Sequence, residues 1–315
     1  MPRSVILRRR LAALGVLGLL ALAAGVAVGA GGDDDPSTAA QATDPGSTAP
    51  SPSPPELPGG GRRLFPDRRV VAFYGNPRDP ELGTLGIGTP AQAGQRLLRQ
   101  ARAYARPSRP VLPAMELIVT TATAAPGPDG QYRDHLAEGI VRRYLQAARR
   151  IKALLVLDIQ PGRAPFGPEI ERLARWLREP DVGLALDPEW HVGPGQVPGK
   201  VIGSTDADVV NAAAAYLSRI VRERGLPEKL LLVHRFTDGM ISRDERLRPY
   251  PGVQTVVNVD GFGGRAVKIA KYYAFVRRTR AIHRGFKLFY HEDSDMLQPR
   301  QVMALAPRPD VVVYE

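Results

Sequence analysis

VGLALDPEWH, residues 182–191, decides how the rest of the chain is read. Val182 to Leu186 is apolar without a break, the run stops at Asp187, and Pro188, Glu189, Trp190 and His191 follow. A short apolar run bounded by polar residues is a strand buried on both faces, as in a parallel sheet. Extended backbone alternates its side chains between two faces, so Asp187 and Glu189 are expected to point the same way. Pro188 holds Asp187 extended and donates no hydrogen bond, which suits the last turn of a strand. Two carboxylates side by side at a strand's C-terminal end form a candidate acid/base pair. The spacing alone is a weak signal, because Asp79-Pro80-Glu81 repeats it in a loop-like stretch.

Working outward, runs of the same kind appear at 69–74, 114–119, 153–158, 230–235, 253–260, 286–291 and 311–315. Between them lie helical patterns at 90–105, 132–150, 168–178, 206–224, 264–282 and 299–305, several with start signals such as Thr89-Pro90. The connection 239–252 is weakly helical at best. Strands alternating with helices in this number and order predict an α/β fold, a single (β/α)8 TIM-type barrel over 63–315. A doubly wound open sheet is the alternative, but the turn after its first strand is usually a Gly-rich phosphate loop. Here that turn reads YGNPRDPELG, residues 74–83.

Chemistry in such barrels collects at the C-terminal ends of the strands. Those ends carry Tyr74 and Asn76; Glu116; Asp158 and Gln160; Asp187, Glu189 and His191; His234; Asp260; His291 and Glu292; and Glu315. The helices carry Arg, whereas the strand ends carry mostly acids, and adjacent carboxylates raise each other's pKa. Folding alone does not call for that arrangement. Asp187, Glu189, Asp158 and Asp260 are therefore the candidate catalytic set, and the remaining strand-end groups are candidate ligand contacts. Asp238 and Asp293 read better as helix N-caps. Trp190, Phe262, Tyr290 and Tyr74 lie beside the acids, as aromatics do where sugar rings are held face on ring.

The fourth strand end resembles the D-x-E strand end of chitinase-like and lysozyme-like barrel glycosidases. The resemblance implies that Glu189 is an acid/base residue and that Asp187 positions it or tunes its pKa. It covers one strand and the barrel plan. The chitinase pattern has a longer D-x-x-D-x-D-x-E run, and the lysozyme pattern wants an Asp on the first strand, where this chain has Tyr74-Gly75-Asn76. The whole chain is also similar in character to secreted proteins of high-GC actinobacteria, which supplies no activity.

Residues 1–10 are basic and 11–30 carry no charge, the pattern of an export signal or an uncleaved N-terminal anchor. Either one places the rest of the chain outside the cytoplasm. Residues 31–62 are rich in Pro, Ser, Thr, Gly and Asp and are expected to be a disordered spacer. The chain has no cysteine, which excludes disulfides, thiolate metal sites and cysteine nucleophiles. Its net charge is +11, and an excess of the same size falls within 63–315, nearly all of it Arg. Such a surface attracts an anionic envelope polymer. No basic stretch is interleaved with aromatics, so nucleic acid is not expected as a partner.

The expected function is that of an exported glycoside-hydrolase-like barrel taking a glycan or other small polar ligand in its mouth. No metal and no cofactor is expected, and membrane contact comes only through 11–30 if that segment is uncleaved. Two alternatives stand beside this reading. One is a metal-dependent hydrolase or isomerase with ligands among Glu116, Asp158, Glu189, His234, Asp260, His291 and Glu315, against which no closely spaced His pair appears. The other is a non-catalytic surface module.

Overall fold

A computed structural model describes residues 53–279 and 281–315. The expected export segment and residues 31–52 of the expected spacer lie outside the described residues. The apolar runs become β1 (Arg69–Gly75), β2 (Val111–Ala122), β4 (Leu154–Ile159), β5 (Val182–Leu186), β7 (Lys229–Arg235), β9 (Val253–Val259), β10 (His283–Leu288) and β11 (Val311–Tyr314). They pair in parallel in the order β1-β2-β4-β5-β7-β9-β10-β11, and the short strands β3 (Arg133–His135), β6 (Thr205–Asp206) and β8 (Ile241–Ser242) lie outside the cylinder. Register closes the cylinder: Val70 of β1 faces Val311 of β11 on one side, and Arg69 faces Val111 of β2 on the other. The expected (β/α)8 barrel is the observed fold.

Two-residue periodicity sorts the strand side chains. Val71, Phe73, Leu155 and Leu157 point outward and join the layer beneath the helices. Val70, Ala72, Leu112, Ala114, Val156, Leu232, Val256 and Val313 point inward and fill the lower barrel. The helices cover the outer wall: α1 (Pro90–Arg102), α2 (Glu138–Arg150), α3 (Phe166–Arg172), α4 (Ala174–Leu177), α5 (Ala207–Arg224), α6 (Arg265–Arg278) and α7 (Pro299–Val302). α1 shows how local sequence sets a boundary. Thr89 accepts from the Gln92 amide, the Gln92 side chain reaches back to the Thr89 amide, and Pro90 opens the first turn. Ala93, Leu97 and Ala101 then bury one face of α1.

Three elements differ from expectation. The helix expected from 132 begins at Glu138, because Tyr132 is left-handed at φ 58° and Arg133–His135 forms a short strand, β3, antiparallel to the end of β2. β10 begins and ends three residues earlier than expected, since His283 at its polar start bonds Asp310 at 3.0 Å. The folded unit also begins upstream of Arg63. Leu57 is buried and, with Leu64 and Phe65, packs on the inward apolar cluster at the barrel floor. Arg62 donates to the Gly225 and Leu226 carbonyls, and its own carbonyl accepts from Glu228 N. Residues 55–62 therefore belong to the domain, because a Leu and a bonded Arg within a polar stretch suffice to anchor it.

This floor sets the first test. Removing residues 1–52 is expected to leave the thermal midpoint unchanged. Removal through Arg62 exposes Leu57 and breaks the Arg62 bonds, a loss of about 2–3 kcal/mol. That lowers the midpoint by roughly 4–10 °C at this domain size. Equal midpoints for the two truncations, measured by scanning calorimetry, would refute the placement.

Candidate functional site

Above the apolar floor the inward positions change character. One step up the same strands stand Tyr74, Glu116, Asp158, His234, Asn258 and Lys287, with Asp187, Asp260 and Glu315 just past the strand ends. β2, β4, β7 and β10 each bring a charged or titratable side chain to this layer by the alternation that buries valines below it. Gly285 is required here by close approach, because a Cβ in its place would lie 2.5 Å from Asn258 Oδ1.

His234 is the hub. Its Nδ1 is 2.9 Å from Asp260 Oδ2 and its Nε2 is 2.8 Å from Glu116 Oε1, with Asp158 Oδ2 at 3.6 Å. Burial by itself lowers the imidazole pKa, but the Glu116 charge and the hydrogen bonds to Asp260 and Glu116 outweigh it and hold His234 well above its usual range. As imidazolium it donates from both nitrogens. Lys287 completes the network: Nζ lies 3.1 Å from Asp260 Oδ2, 2.7 Å from Glu315 Oε2 and 3.7 Å from the centre of the Tyr74 ring. Burial disfavours its charge, yet Asp260, Glu315, Asp187 and Glu116 together raise its pKa above the ordinary lysine value.

Two aspartates in this layer are driven apart. Burial pushes Asp260 up, but Lys287 and then His234 overcome it and leave the carboxyl far below the usual range. Burial and then the Asp187 charge push Asp158 well above that range, and His234 only partly opposes them. Both Asp158 oxygens and Glu116 Oε2 are buried without a hydrogen-bond partner. The layer thus favours the neutral form of one carboxyl and the ionised form of its neighbour.

The β5 end is built differently from the extended run expected. The strand stops at Leu186, and Pro188–Trp190 forms a 3-10 turn, so two-residue alternation does not carry across Pro188 and does not fix Asp187 and Glu189 on one face. Asp187 faces the network, with the Tyr74 hydroxyl 3.4 Å from its Oδ2. Glu189 and Trp190 are buried within the turn. Gly203 clamps that turn: its amide donates to Glu189 O at 2.6 Å, and a Cβ there would lie 2.3–2.6 Å from the carbonyl oxygens of His191, Pro188 and Glu189.

The other expected ligand contacts divide. Gln160 belongs to the network, donating to Tyr74 OH at 2.9 Å. Asn76 is occupied holding the β1 loop, with Nδ2 donating to Thr121 Oγ1 and Oδ1 accepting from Arg78 N. His191 bonds Ser204 O and packs on Phe166. Phe262 is half-buried, edge-on to Phe289. Tyr290 does not face the mouth: it stacks on Tyr314 in the outer layer and donates to Gln100 of α1. With β10 ending at Leu288, His291 and Glu292 fall in the following loop. Asp238 bonds Arg278, and Asp293 accepts from Gly263 N, Phe289 N and Lys268 Nζ. The centre of the network lies below the mouth, since Asp158, Glu116 and His234 are fully buried.

Lys287 is the functional-layer residue that the strand-end reading missed, whereas Asn258 stands at a strand end and was assigned no role there. A lysine inside FKLF was the available signal, because a mid-strand Lys among apolar residues is buried only with acids to meet it. For metal binding, Glu116, Asp158 and His234 are the group among the described residues whose ligand atoms lie within 4.8 Å of one another. This carboxylate and imidazole donor set suits a divalent cation, which would have to displace the Nε2 proton bonded to Glu116.

Comparison with known protein families finds no match, and comparison with curated proteins finds none either. Among solved structures the chain is similar to a GH5-4 broad specificity endoglucanase from Clostridium acetobutylicum. Sequence identity is 10%, the TM-score is 0.42, and the likeness covers 80% of this chain and 87% of that one. At that identity it says nothing of chemistry, which rests on the side chains above.

Two tests follow from the network. A carboxyl with a raised folded-state pKa contributes stability below its unfolded value, roughly 4, and loses that contribution as pH climbs toward the folded one. Asp158→Asn removes this dependence, so the variant is expected to melt above the native chain at pH 8 and close to it at pH 4. A gap that narrows with rising pH would contradict the neutral Asp158. Lys287→Met leaves Asp260 and Glu315 without their cation and is expected to cost about 3–5 kcal/mol in denaturant unfolding. Adding Asp260→Asn should restore part of the loss, and no restoration would place the cost elsewhere.

Proposed function

We propose that this chain is an exported glycoside-hydrolase-like barrel that acts on an extracellular or cell-wall glycan by carboxylate acid/base chemistry. The observation that carries the reading is the pairing of a neutral Asp158 with an ionised Asp260 about one imidazole. Glycosidic cleavage needs one carboxyl able to give a proton and one held as the anion. Burial and like charge supply the first, and Lys287 with His234 supplies the second. The proton donor is drawn from the Asp158, Asp187 and Glu189 group on β4 and the β5 turn, and the D-x-E resemblance supports Glu189 as the group that meets the glycosidic oxygen. Trp190 offers a ring face to the sugar, and Tyr74 with Gln160 offers polar contacts. The N-terminal export pattern supports an extracellular polymer as the source of ligand.

The test is hydrolysis of a panel of wall and plant glycans by the native chain and by point variants. Glu189→Gln and Asp158→Asn are each expected to lower kcat by about 100-fold or more, because the amide keeps the shape but carries no transferable proton. Trp190→Ala is expected to raise KM more than it lowers kcat, since stacking acts on ground and transition states alike. A glycan-cleaving native chain whose rate ignores both carboxyl variants would overturn the assignment. Loss of turnover to a chelator, restored by one divalent metal, would instead make Glu116, Asp158 and His234 metal ligands.

A further inference from the structure

The barrel's opposite face carries a second constructed site that the chemistry above does not use. Four arginines, Arg69, Arg106, Arg109 and Arg308, line a cleft of about 630 Å³ together with Ser108. Each is pinned through one nitrogen to a backbone carbonyl: Arg69 to Pro309 O, Arg106 to Ala105 O, Arg109 to Arg68 O and Arg308 to Met303 O. Only Arg109 also has a carboxylate, Asp310, and Asp310 is shared with His283 and Arg284. Arg69 is the informative member. It is 2% exposed, and its two terminal nitrogens make no hydrogen bond within the described protein. Burial first, then the neighbouring Arg109, lowers its pKa to about 10, and the Asp310 charge opposes them only in part.

A solvated surface does not need this arrangement. Guanidinium groups fixed by carbonyls hold their remaining N–H groups in place, which is how planar bidentate recognition of phosphate is prepared. The cleft also has a continuation. A groove of about 580 Å³ shares Arg106 and Pro107 with it and is walled by Leu98, Ala101, Ala105, Pro110 and Val111. A cationic basin opening into an apolar groove matches a ligand with an anionic head and an apolar chain. The described chain enters the fold on this same face, through Leu57 and Phe65.

We propose that this cleft and groove bind a phospholipid-type anion, with its phosphate among Arg69, Arg106, Arg109 and Arg308 and its apolar chain along Leu98 and Val111. The proposal is independent of the glycan reading, because no residue is common to the two sites.

The test uses the full chain and calorimetric titration with inorganic phosphate and with dihexanoyl phosphatidate kept below its micelle concentration. Sulfate and chloride at matched ionic strength control for screening. Phosphate is expected to bind with a Kd on the order of 1 mM or tighter. The phosphatidate is expected to bind about tenfold or more tightly than phosphate, through burial of its chains. Arg106→Gln with Arg308→Gln, two exposed positions, should weaken both ligands about tenfold or more. Leu98→Ser should weaken only the phosphatidate. Phosphate binding no stronger than chloride, or unchanged in the double variant, would overturn the site. Phosphate binding without a gain from the acyl chains would overturn the lipid assignment and leave an inorganic phosphate site. Glycan hydrolysis should be unchanged in all these variants.

Discussion

The ammonium of Lys287, held inside the barrel without access to bulk water, sets the terms for every acid around it. Asp260 and Glu315 meet it directly, and the Tyr74 ring lies beneath it. Removing a charge from water costs several kcal/mol, and attraction offsets this only where partners are close and correctly placed. Here the compensation is mutual. Lys287 keeps Asp260 ionised, Asp260 in turn bonds His234, and His234 bonds Glu116. Asp158 stands just beyond the last short contact, and it is the acid that stays neutral. The order of distances from one cation and one imidazolium thus becomes an order of protonation states.

The chamber depends equally on what lies below it. Valine, leucine and alanine fill the lower inward positions, so no water column reaches the polar layer from beneath. The same strands serve both purposes because alternation is strict. Val70 and Ala72 lead to Tyr74, Leu230 and Leu232 lead to His234, and Val311 and Val313 lead to Glu315. A one-residue slip in any of them would move its charged group into the outer hydrophobic layer.

The barrel was legible because strands buried on both faces leave continuous apolar runs, a pattern that survives errors at either end. The site was less legible because it turns on those ends. His234, Asp158, Glu116 and Asp260 were recognised as strand-end groups, and they do meet. Lys287 was hidden inside a strand whose register was placed three residues late, and the same shift brought Tyr290 and His291 forward into the mouth. Asp187 and Glu189 were related by an alternation that ends at Leu186, where Pro188 opens a 3-10 turn. Leu57 was lost within a Pro/Ser/Gly-rich stretch because composition averages over the one residue that packs. Contacts between segments far apart in sequence, such as Arg62 with Leu226, leave no local trace.

The plug formed by Leu57, Leu64 and Phe65 makes the barrel a blind well. Whatever enters must leave by the same door, so arrival and departure compete for one opening. In such a vessel a spent ligand blocks a fresh one, and water admitted with a ligand has nowhere to drain. The stretch that seals the floor is also the first part of the described chain. Tension applied at its start therefore pulls first on the plug, and the mechanical and hydraulic integrity of the well rest on the same few apolar side chains.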